Sequence, residues 1–502
     1  MELKSDNLKL IFGIKLKQLR KEKGLSLKEF ASKTNLSISY ISEIESGKKY
    51  PQIKKIIHLA SALGVSYDEL VSPKVNEETN PVTAFMKSPI FQEFPFQMFG
   101  FTLNDVVDLM KDSPKSAAAL IRTLTEIGEM YDMKVEQFFF AALRSYQKMH
   151  NNYFDEIEIA ADIFLRELNW PSNEPLNYDI LAQTIESKYH CQIDESTISR
   201  FPELQSFRSI RIDGHPPRLL INARLMPPQK AFILGHEMAY EYLKMKERPM
   251  TSSWLKVESF DQVLNNFKAS YFAGALLIPR DRLVEDLKRF FQNPVWNPDA
   301  FVKLMDQFDS TPEMFMYRLT QLIPKYLNLN EIYFLRFNNV PGTDHFQLTK
   351  ELNMTRYFVP HGIGLNEHYC HRWLSIKLLQ QLANLQVHNN TPHVLADIQR
   401  STFIDSEAEF ITISLVRPLV LSEKTNSCVT IGFLIDSEFK KRVRFHDDPS
   451  IPTAQVNETC ERCSLKDCRE RAAEPQLYEK QKKLEMREQA LIQLVNEIKR
   501  NS

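Results

Sequence analysis

Residues 24–51, GLSLKEFASKTNLSISYISEIESGKKYP, constrain this chain more than any other stretch. Leu27, Phe30 and Ala31 form one apolar face, and Ile38, Ile41 and Ile44 keep helical spacing in a second short run. Asn35 breaks the first run, Ser37 can N-cap the second, and Gly47 can end it in the left-handed conformation that glycine adopts cheaply. Two short helices with a tight joint predict a helix-turn-helix, whose second helix enters the DNA major groove. A plain helical hairpin in a protein-binding module is the bland alternative. Charge speaks against it. Residues 1–60 hold thirteen Lys and Arg against six Asp and Glu, while the whole chain has a net charge of −1. Such a local basic excess is the footprint of phosphate binding.

The run S-x-S-Y-I-S-x-I-E-x-G-x-x-x-P, residues 37–51, closely resembles the Xre/lambda-repressor-like helix-turn-helix. The match extends over about residues 10–71, with a first helix near Ile11–Lys23 and a closing one near Ile53–Leu63. The resemblance implies base-edge contacts from Ser37, Ser39, Tyr40 and Glu43. It implies phosphate contacts from Lys48 and Lys49, with Lys28 in the same DNA-binding set. The partner is then a double-stranded DNA operator.

A chain of 502 residues predicts several domains, each burying its own core. The expected division is 1–72 helix-turn-helix, 73–154 helical linker, 155–325, 326–474, and a C-terminal helix over 475–502. No apolar run is long enough to span a bilayer, and MELKSDNLKL lacks the apolar stretch of a signal peptide. A soluble cytoplasmic protein without a membrane partner is expected. Six cysteines in so long a chain are no disulfide framework.

The polar run SPKVNEETNP, 72–81, reads as a linker. Helical patterns follow at Leu103–Met110, Ala117–Met130 and Val135–Met149. Their apolar faces pack on a core or on a second copy, and binding to two half-sites favours a homodimer.

Between 155 and 325 helical periodicity alternates with strand-like runs at Ser209–Ile212 and Arg218–Asn222, then PPQKAFILGHEMAYEYL and FDQVLNNFKASYFAGALLIPRDRL. This order resembles the ImmA/IrrE-type metallopeptidases. In that family H-E-x-x-H supplies two imidazoles on one helical face, and a later glutamate completes a zinc site. Here His236 and Glu237 are present, but Tyr240 replaces the second histidine, and counting back from FAGALLIP puts Lys268 at the glutamate position. One imidazole and a phenol fall short of the set that zinc hydrolysis needs. The expectation is a retained, mainly α, degenerate peptidase fold without catalytic residues. The alternative is a zinc protease acting on a partner regulator.

Residues 326–474 change texture: EIYFLRF, FQLTKEL, AEFITISLV and SCVTIGFLI alternate like strands, with a helix around Cys370–Leu382. That is an α+β pattern of the GAF or PAS kind, a class that holds small ligands in sheet-backed pockets. It ends in Cys460-Glu-Arg-Cys463-Ser-Leu-Lys-Asp-Cys468, amid Arg462, Lys466, Arg469 and Arg471. Those cations are expected to lower thiol pKa values and to offset thiolate charge. Three clustered thiols suggest a metal centre, zinc or iron–sulfur, with Cys370, Cys428 or His446 open as further ligands.

Taken together, the helix-turn-helix, HNNYF, ASYFAGALLIPR, HYCHRW and CERCSLKDCRERA resemble the bacterial short-chain fatty acyl-CoA-responsive regulators. The resemblance implies a sensor that binds acyl-CoA. In some members it also implies a [4Fe–4S] cluster, here on Cys460, Cys463 and Cys468 with Cys370 as fourth ligand, zinc being the alternative. Arg372 and Arg417 are cationic positions near the predicted sheet. In the tail, Leu477, Leu484, Leu491 and Ile498 recur every seven residues, a stripe expected to dock on the parent domain.

Overall fold

The computed structural model describes residues 5–71, 96–99, 123, 135–171, 174–252, 257–357, 359–360, 367–388, 392–404, 406, 408–422 and 424–501. They fall into two compact units, Met1–Ala142 and Leu143–Ser502. The linker and the helices expected over 103–110 and 117–130 lie outside the described residues.

The first unit opens with five helices: α1 Ser5–Glu22, α2 Leu27–Thr34, α3 Ile38–Glu45, α4 Ile53–Leu63 and α5 Tyr67–Val71. Ser26 and Glu29 form a reciprocal cap on α2, each side chain accepting from the other's backbone N–H. Asn35 ends α2 in the left-handed region, and Ser37 Oγ accepts from Tyr40 N–H to start α3. Phe12, Leu16, Phe30, Ile41, Ile44 and Leu59 fill the core. Gly13 marks the place where α1 meets α3. A Cβ there would lie 2.2 Å from the Ile44 carbonyl oxygen. Ile38 departs from the expected face and is 48% exposed. A spacing of three falls 60° short of a full turn, so 38, 41 and 44 drift round the helix and only the last two point inward.

The second unit begins with the end of helix Val135–Met149, followed by helices Asp155–Glu167 and Tyr178–Tyr189. A small sheet comes next, in the order β1 (Gln192–Asp194), β3 (Arg218–Ile221), β2 (Ser209–Ile212); β1 runs parallel and β2 antiparallel to β3. The HE helix, Pro227–Tyr242, packs on the ALLIP helix, Phe260–Leu277. Their approach is close because a Cβ on Gly235 would already lie 3.2 Å from Ala273 Cβ. Helices Arg280–Phe291, Pro298–Asp306 and Pro312–Leu327 complete this part. Arg318 is buried against Glu158 at 2.6 and 2.9 Å, and Tyr271 donates to the same carboxylate at 2.7 Å, so three helices share one neutralised pair.

The second sheet has six strands in the order β5 (Phe346–Asn353), β4 (Ile332–Asn339), β8 (Asn426–Leu434), β7 (Glu409–Pro418), β6 (Leu395–Phe403), β9 (Thr453–Val456). All neighbours pair antiparallel except β6 and β9. Helix Leu374–Val387 packs on one set of strands and helix Pro312–Leu327 also meets β4, β7 and β8. Covered strands need apolar residues on both faces, and β8 is buried at every position. Hydroxyls inside are paired across strands: Ser414 with Thr430 at 2.7 Å, and Thr412 with Ser401 and Tyr333 at 3.1 Å. Tyr333, Trp373, Phe403 and Phe410 pack together in the core between sheet and helix, where a sheet-backed ligand pocket was expected.

The C-terminal helix, Gln476–Asn501, contradicts the docking expectation. Every residue from Glu479 to Arg500 is exposed. Leu484 and Leu491 of its seven-residue stripe are 56% and 61% exposed.

Candidate functional site

On the DNA-reading helix α3, Ser39, Ser42 and Glu43 are exposed, as is Ile38 at its first position. The cap on α3 uses the Ser37 hydroxyl, which also lies 3.2 Å from Ser39 Oγ. Tyr40 carries two ammonium groups over its ring, Lys49 at 5.0 Å and Lys55 at 4.1 Å. Lys49 also pairs with Glu43 at 3.4 Å. Lys28 and Lys48 are exposed. Sequence reasoning missed Ile38, whose methyl groups suit a thymine methyl, and Lys55. The three-residue spacing of Ile38, Ile41 and Ile44, which drifts round a helix of 3.6 residues per turn, is the signal that could have found Ile38. Arg20, counted there with the phosphate-binding charges, is instead buried against Glu45, Nε–Oε1 2.6 Å and Nη2–Oε2 2.9 Å. That pair removes one charge of each sign, so the local basic excess stands.

In the middle region, His236 Nε2 lies 3.1 Å from Asn266 Oδ1. The residue facing the histidine from the ALLIP helix is therefore Asn266, two positions before Lys268. Burial pushes the imidazole pKa down to about 4, so His236 is neutral. Tyr240 crosses its ring edge-on at 5.3 Å, and its buried hydroxyl has no hydrogen-bond partner among the described residues. Burial holds that phenol far above its ordinary pKa. Imidazole, neutral phenol and carboxamide are a poor set for zinc, and this arrangement does not fit the catalytic ion of the peptidases it resembles. Glu237 is clamped: Arg211 Nη1 donates to Oε1 at 2.7 Å, and Arg248 Nη2 lies 2.8 Å from the same oxygen. Burial opposes the carboxylate's charge while the two guanidinium groups favour it. Both cations meet Oε1, so the carboxylate at the would-be base position is already paired with two guanidinium groups.

The isolated antiparallel bridge Tyr369–Thr459 brings the HYCHRW turn against the cysteine loop. Cys370 N–H donates to the Glu458 carbonyl at 3.3 Å, and Cys460 N–H to the His368 carbonyl at 2.8 Å. Cys370, Cys460 and Cys463 are buried, and the Cys370 thiol lies within electrostatic reach of the other two. Cys468 is half-exposed, and Cys428 is buried inside the sheet beside Thr430. Backbone N–H groups of Asn457 and Arg372 reach Cys370, and that of Ala472 reaches Cys460 Sγ at 3.4 Å. The expected cationic lowering of thiol pKa is absent at two positions: burial pushes Cys370 up to about 11, and Cys460 upward as well. Burial outweighs the cations: Arg462 is paired with Glu367 at 2.7 and 2.8 Å, and Arg471, tied to the carbonyls of Cys460, Leu465 and Ala473, only partly offsets the rise at Cys460. Among the described residues no group of three or more His, Cys, Asp or Glu is arranged to hold a metal ion.

A second cluster went unread. Arg336 and Lys350 meet Glu313 at 3.0 and 3.5 Å, and Arg208 adds to the field on that carboxylate. Burial opposes its ionisation, yet these cations hold its carboxyl well below the usual range. Arg417, buried nearby, has the Met226 thioether at 3.1 Å, and burial pushes its pKa down. Lys350 also sits 3.7 Å above the Tyr317 ring. Four cations thus surround one carboxylate. Glu313 and Lys350 stay partly open to solvent, with side chains 27% and 38% exposed. Arg372 is elsewhere, at the cysteine turn.

The sequence profile of the helix-turn-helix family matches residues 16–70, and that of the IrrE N-terminal-like domain matches residues 195–320. A propionyl-CoA carboxylase regulator of Cereibacter sphaeroides is 22% identical over 70% of this chain and 72% of its own length. An uncharacterised HTH-type transcriptional regulator of Sinorhizobium fredii is 37% identical over 13% of this chain and 87% of its own length. The control protein C.MunI of a Mycoplasma species is 40% identical over 13% of this chain and 92% of its own length. With the capped α2–α3 pair, the exposed face of α3 and relatives matched over nearly their full length, the chain belongs to the Xre-like helix-turn-helix transcriptional regulators, joined here to an IrrE-like domain.

Proposed function

We propose that this regulator binds its operator as a homodimer and adjusts that binding to a short-chain acyl-CoA held by its C-terminal half. The observation that carries the reading is the excess of cations around Glu313. Arg208, Arg336, Lys350 and Arg417 face only the one Glu313 carboxylate, and half-buried charge of one sign calls for a counter-anion. The phosphates of a CoA supply it, and bidentate guanidinium groups suit them. A relative named for regulating propionyl-CoA carboxylase supports the choice. The strand order, with β8 and β7 central and helix Leu374–Val387 packed on the sheet, supports a GAF- or PAS-like reading of the domain. The base-reading set is Ile38, Ser39, Ser42 and Glu43, while Lys28, Lys48, Lys49 and Lys55 serve the phosphates.

The IrrE-like domain acts in this reading as a scaffold without peptidase activity, supported by the Asn266 and Tyr240 replacements and the clamp on Glu237. Cys370, Cys460, Cys463 and Cys468 are the residues that would hold a [4Fe–4S] cluster or zinc. Converging buried thiols with N–H groups on their sulfurs support that assignment. Iron, sulfide and zinc analysis of protein purified without oxygen tests it. Colourless, metal-free protein would remove the centre.

The ligand is tested by calorimetry with propionyl-CoA, CoA and inorganic phosphate, alongside operator binding. Saturable binding of the CoA species, weakened at least tenfold by Arg417→Ala and Arg336→Ala, is expected. Equal binding by those variants would overturn the site, and unchanged operator affinity with ligand bound would overturn the coupling.

A further inference from the structure

β3 pairs with one side of β2, and a short stretch of the same chain takes the other. Arg211 N–H donates to the Met250 carbonyl at 2.9 Å, and Ser252 N–H donates to the Ser209 carbonyl at 3.2 Å. Between them Ile210 and Thr251 face each other in an antiparallel bridge, and the Ser252 hydroxyl accepts from Ser209 N–H at 2.9 Å. Upstream, the Glu247 carbonyl accepts from Asn265 Nδ2 at 2.9 Å, one residue before the Asn266 that faces His236. Arg248 lies over the Tyr240 ring, 5.4 Å from its centroid, and meets Glu237 at 2.8 Å and Glu241 at 3.6 Å. Residues 247–252 thus form a strap from the ALLIP helix, past Tyr240 and Glu237 of the HE helix, to the edge of β2.

The hold of this strap is thin. Two backbone bonds and one serine hydroxyl tie it to β2, Thr251 alone of its six residues is buried, and Met250 is 71% exposed. Segments with so little buried surface open at the low end of a protein's range of local stability. Opening uncovers both a strand edge and a charge. Without Arg248, Glu237 and Glu241 face the single Arg211 guanidinium at 2.7 and 3.6 Å, and the exposed Asp213 adds a third carboxylate at 3.4 Å. An unpaired edge is a template for strand addition, and an acidic floor beside it chooses a basic side chain.

We propose that the β2 edge and the Glu237–Glu241 pair form a groove for an extended, arginine-bearing segment of a partner protein, which residues 247–252 fill in its absence. The incoming strand runs antiparallel to β2, with its arginine three residues before the position opposite Ile210. Arginine suits the place better than lysine, because a planar guanidinium lies on the Tyr240 ring and reaches two carboxylates at once. A glutamate in the arginine's place would meet like charge, so the groove selects by sign.

The probe is a fluorescently labelled peptide of residues 246–252, Lys-Glu-Arg-Pro-Met-Thr-Ser, added to the full chain and followed by anisotropy. Arg248→Ala with Ser252→Pro removes the strap's cation and the N–H that reaches Ser209. This variant should bind the peptide at least tenfold more tightly than the wild type, whose groove is filled. A peptide with alanine in place of its arginine should bind the variant at least tenfold more weakly. Ile210→Cys with Thr251→Cys supplies the opposite control, because a directly opposed antiparallel pair is close enough for a disulfide that locks the strap. The oxidised lock should bind no peptide. Equal affinity of the released variant and the wild type would overturn the groove, as would peptide binding that survives the lock. Equal affinity for the two peptides would overturn the choice of arginine. Should Ser252→Pro lower the denaturation midpoint of the chain, Arg248→Ala alone replaces the double variant in the same comparison.

Discussion

Glu45 and Glu237 are both carboxylates held by guanidinium groups, one in the DNA-binding unit and one in the IrrE-like domain. Glu45 takes a single arginine, Arg20, in a fork at 2.6 and 2.9 Å. It supports α3 from behind while Ser39, Ser42 and Glu43 stay exposed in front. Glu237 takes two, Arg211 and Arg248, at the position where its peptidase relatives keep a base. The same chemical pair thus serves a site in one region and fills a site in the other. Persistence of the letters H-E in a sequence says little until the partners of the carboxylate are known.

The comparison breaks most visibly at Arg20. Arg20→Met leaves Glu45 buried and unpaired, at a cost of about 3–5 kcal/mol. Denaturation of the full chain should show the first unit unfolding early, with operator binding lost. Adding Glu45→Leu should return most of the stability. At the other pair, Glu237→Gln should cost less, about 2 kcal/mol, because Glu241 and Asp213 remain near both arginines. DNA affinity of the folded protein should be unchanged. Loss of a proteolytic activity without loss of stability would instead make Glu237 a base.

His236 sharpens the contrast through pH. Its folded pKa of about 4 lies below its ordinary value of 6.5. The unfolded chain therefore gains the proton first, and the contribution is complete above about pH 6.5 and shrinks down to about pH 4. His236→Gln should flatten that window in a plot of denaturation midpoint against pH. On α3 the effects are finer. Ser39→Ala should relax sequence preference by about 1 kcal/mol at the base it touches. Lys48→Ala should weaken all sequences alike and lower the salt slope by about one. Tyr40→Ala should resemble the lysine change, because the ring holds Lys49 and Lys55 in place.

The helix-turn-helix was legible because its determinants are local. Ser37, Asn35 and Gly47 act on neighbours within a turn, and α4 runs over Ile53–Leu63 as its spacing predicts. What depends on distant residues was not. Nothing near Glu237 announces Arg211, 26 residues back on another element, and counting along one helix gave Lys268 where the fold presents Asn266. The nearness of Cys370 to Cys460 and Cys463 could be guessed from the tight HYCHRW turn. The burial of those thiols could not, and it outweighed the cations expected to lower them. Cations around Glu313 come from three strands and a loop, so no window of sequence shows them together. The tail was misjudged for a different reason. Periodicity reports that a stripe exists and leaves open whose surface covers it.

Gln147 donates to Tyr317 Oη at 2.6 Å, and Asn152 donates to Thr320 Oγ1 at 2.9 Å. Lys148 reaches the Thr355 carbonyl at 3.0 Å, two residues past the end of β5. The stretch by which the chain enters its second unit is therefore bolted to helix Pro312–Leu327, one turn past Glu313. Segment and helix thus form one hydrogen-bonded body, and the helix that carries Glu313 cannot shift without shifting the segment that opens the second unit.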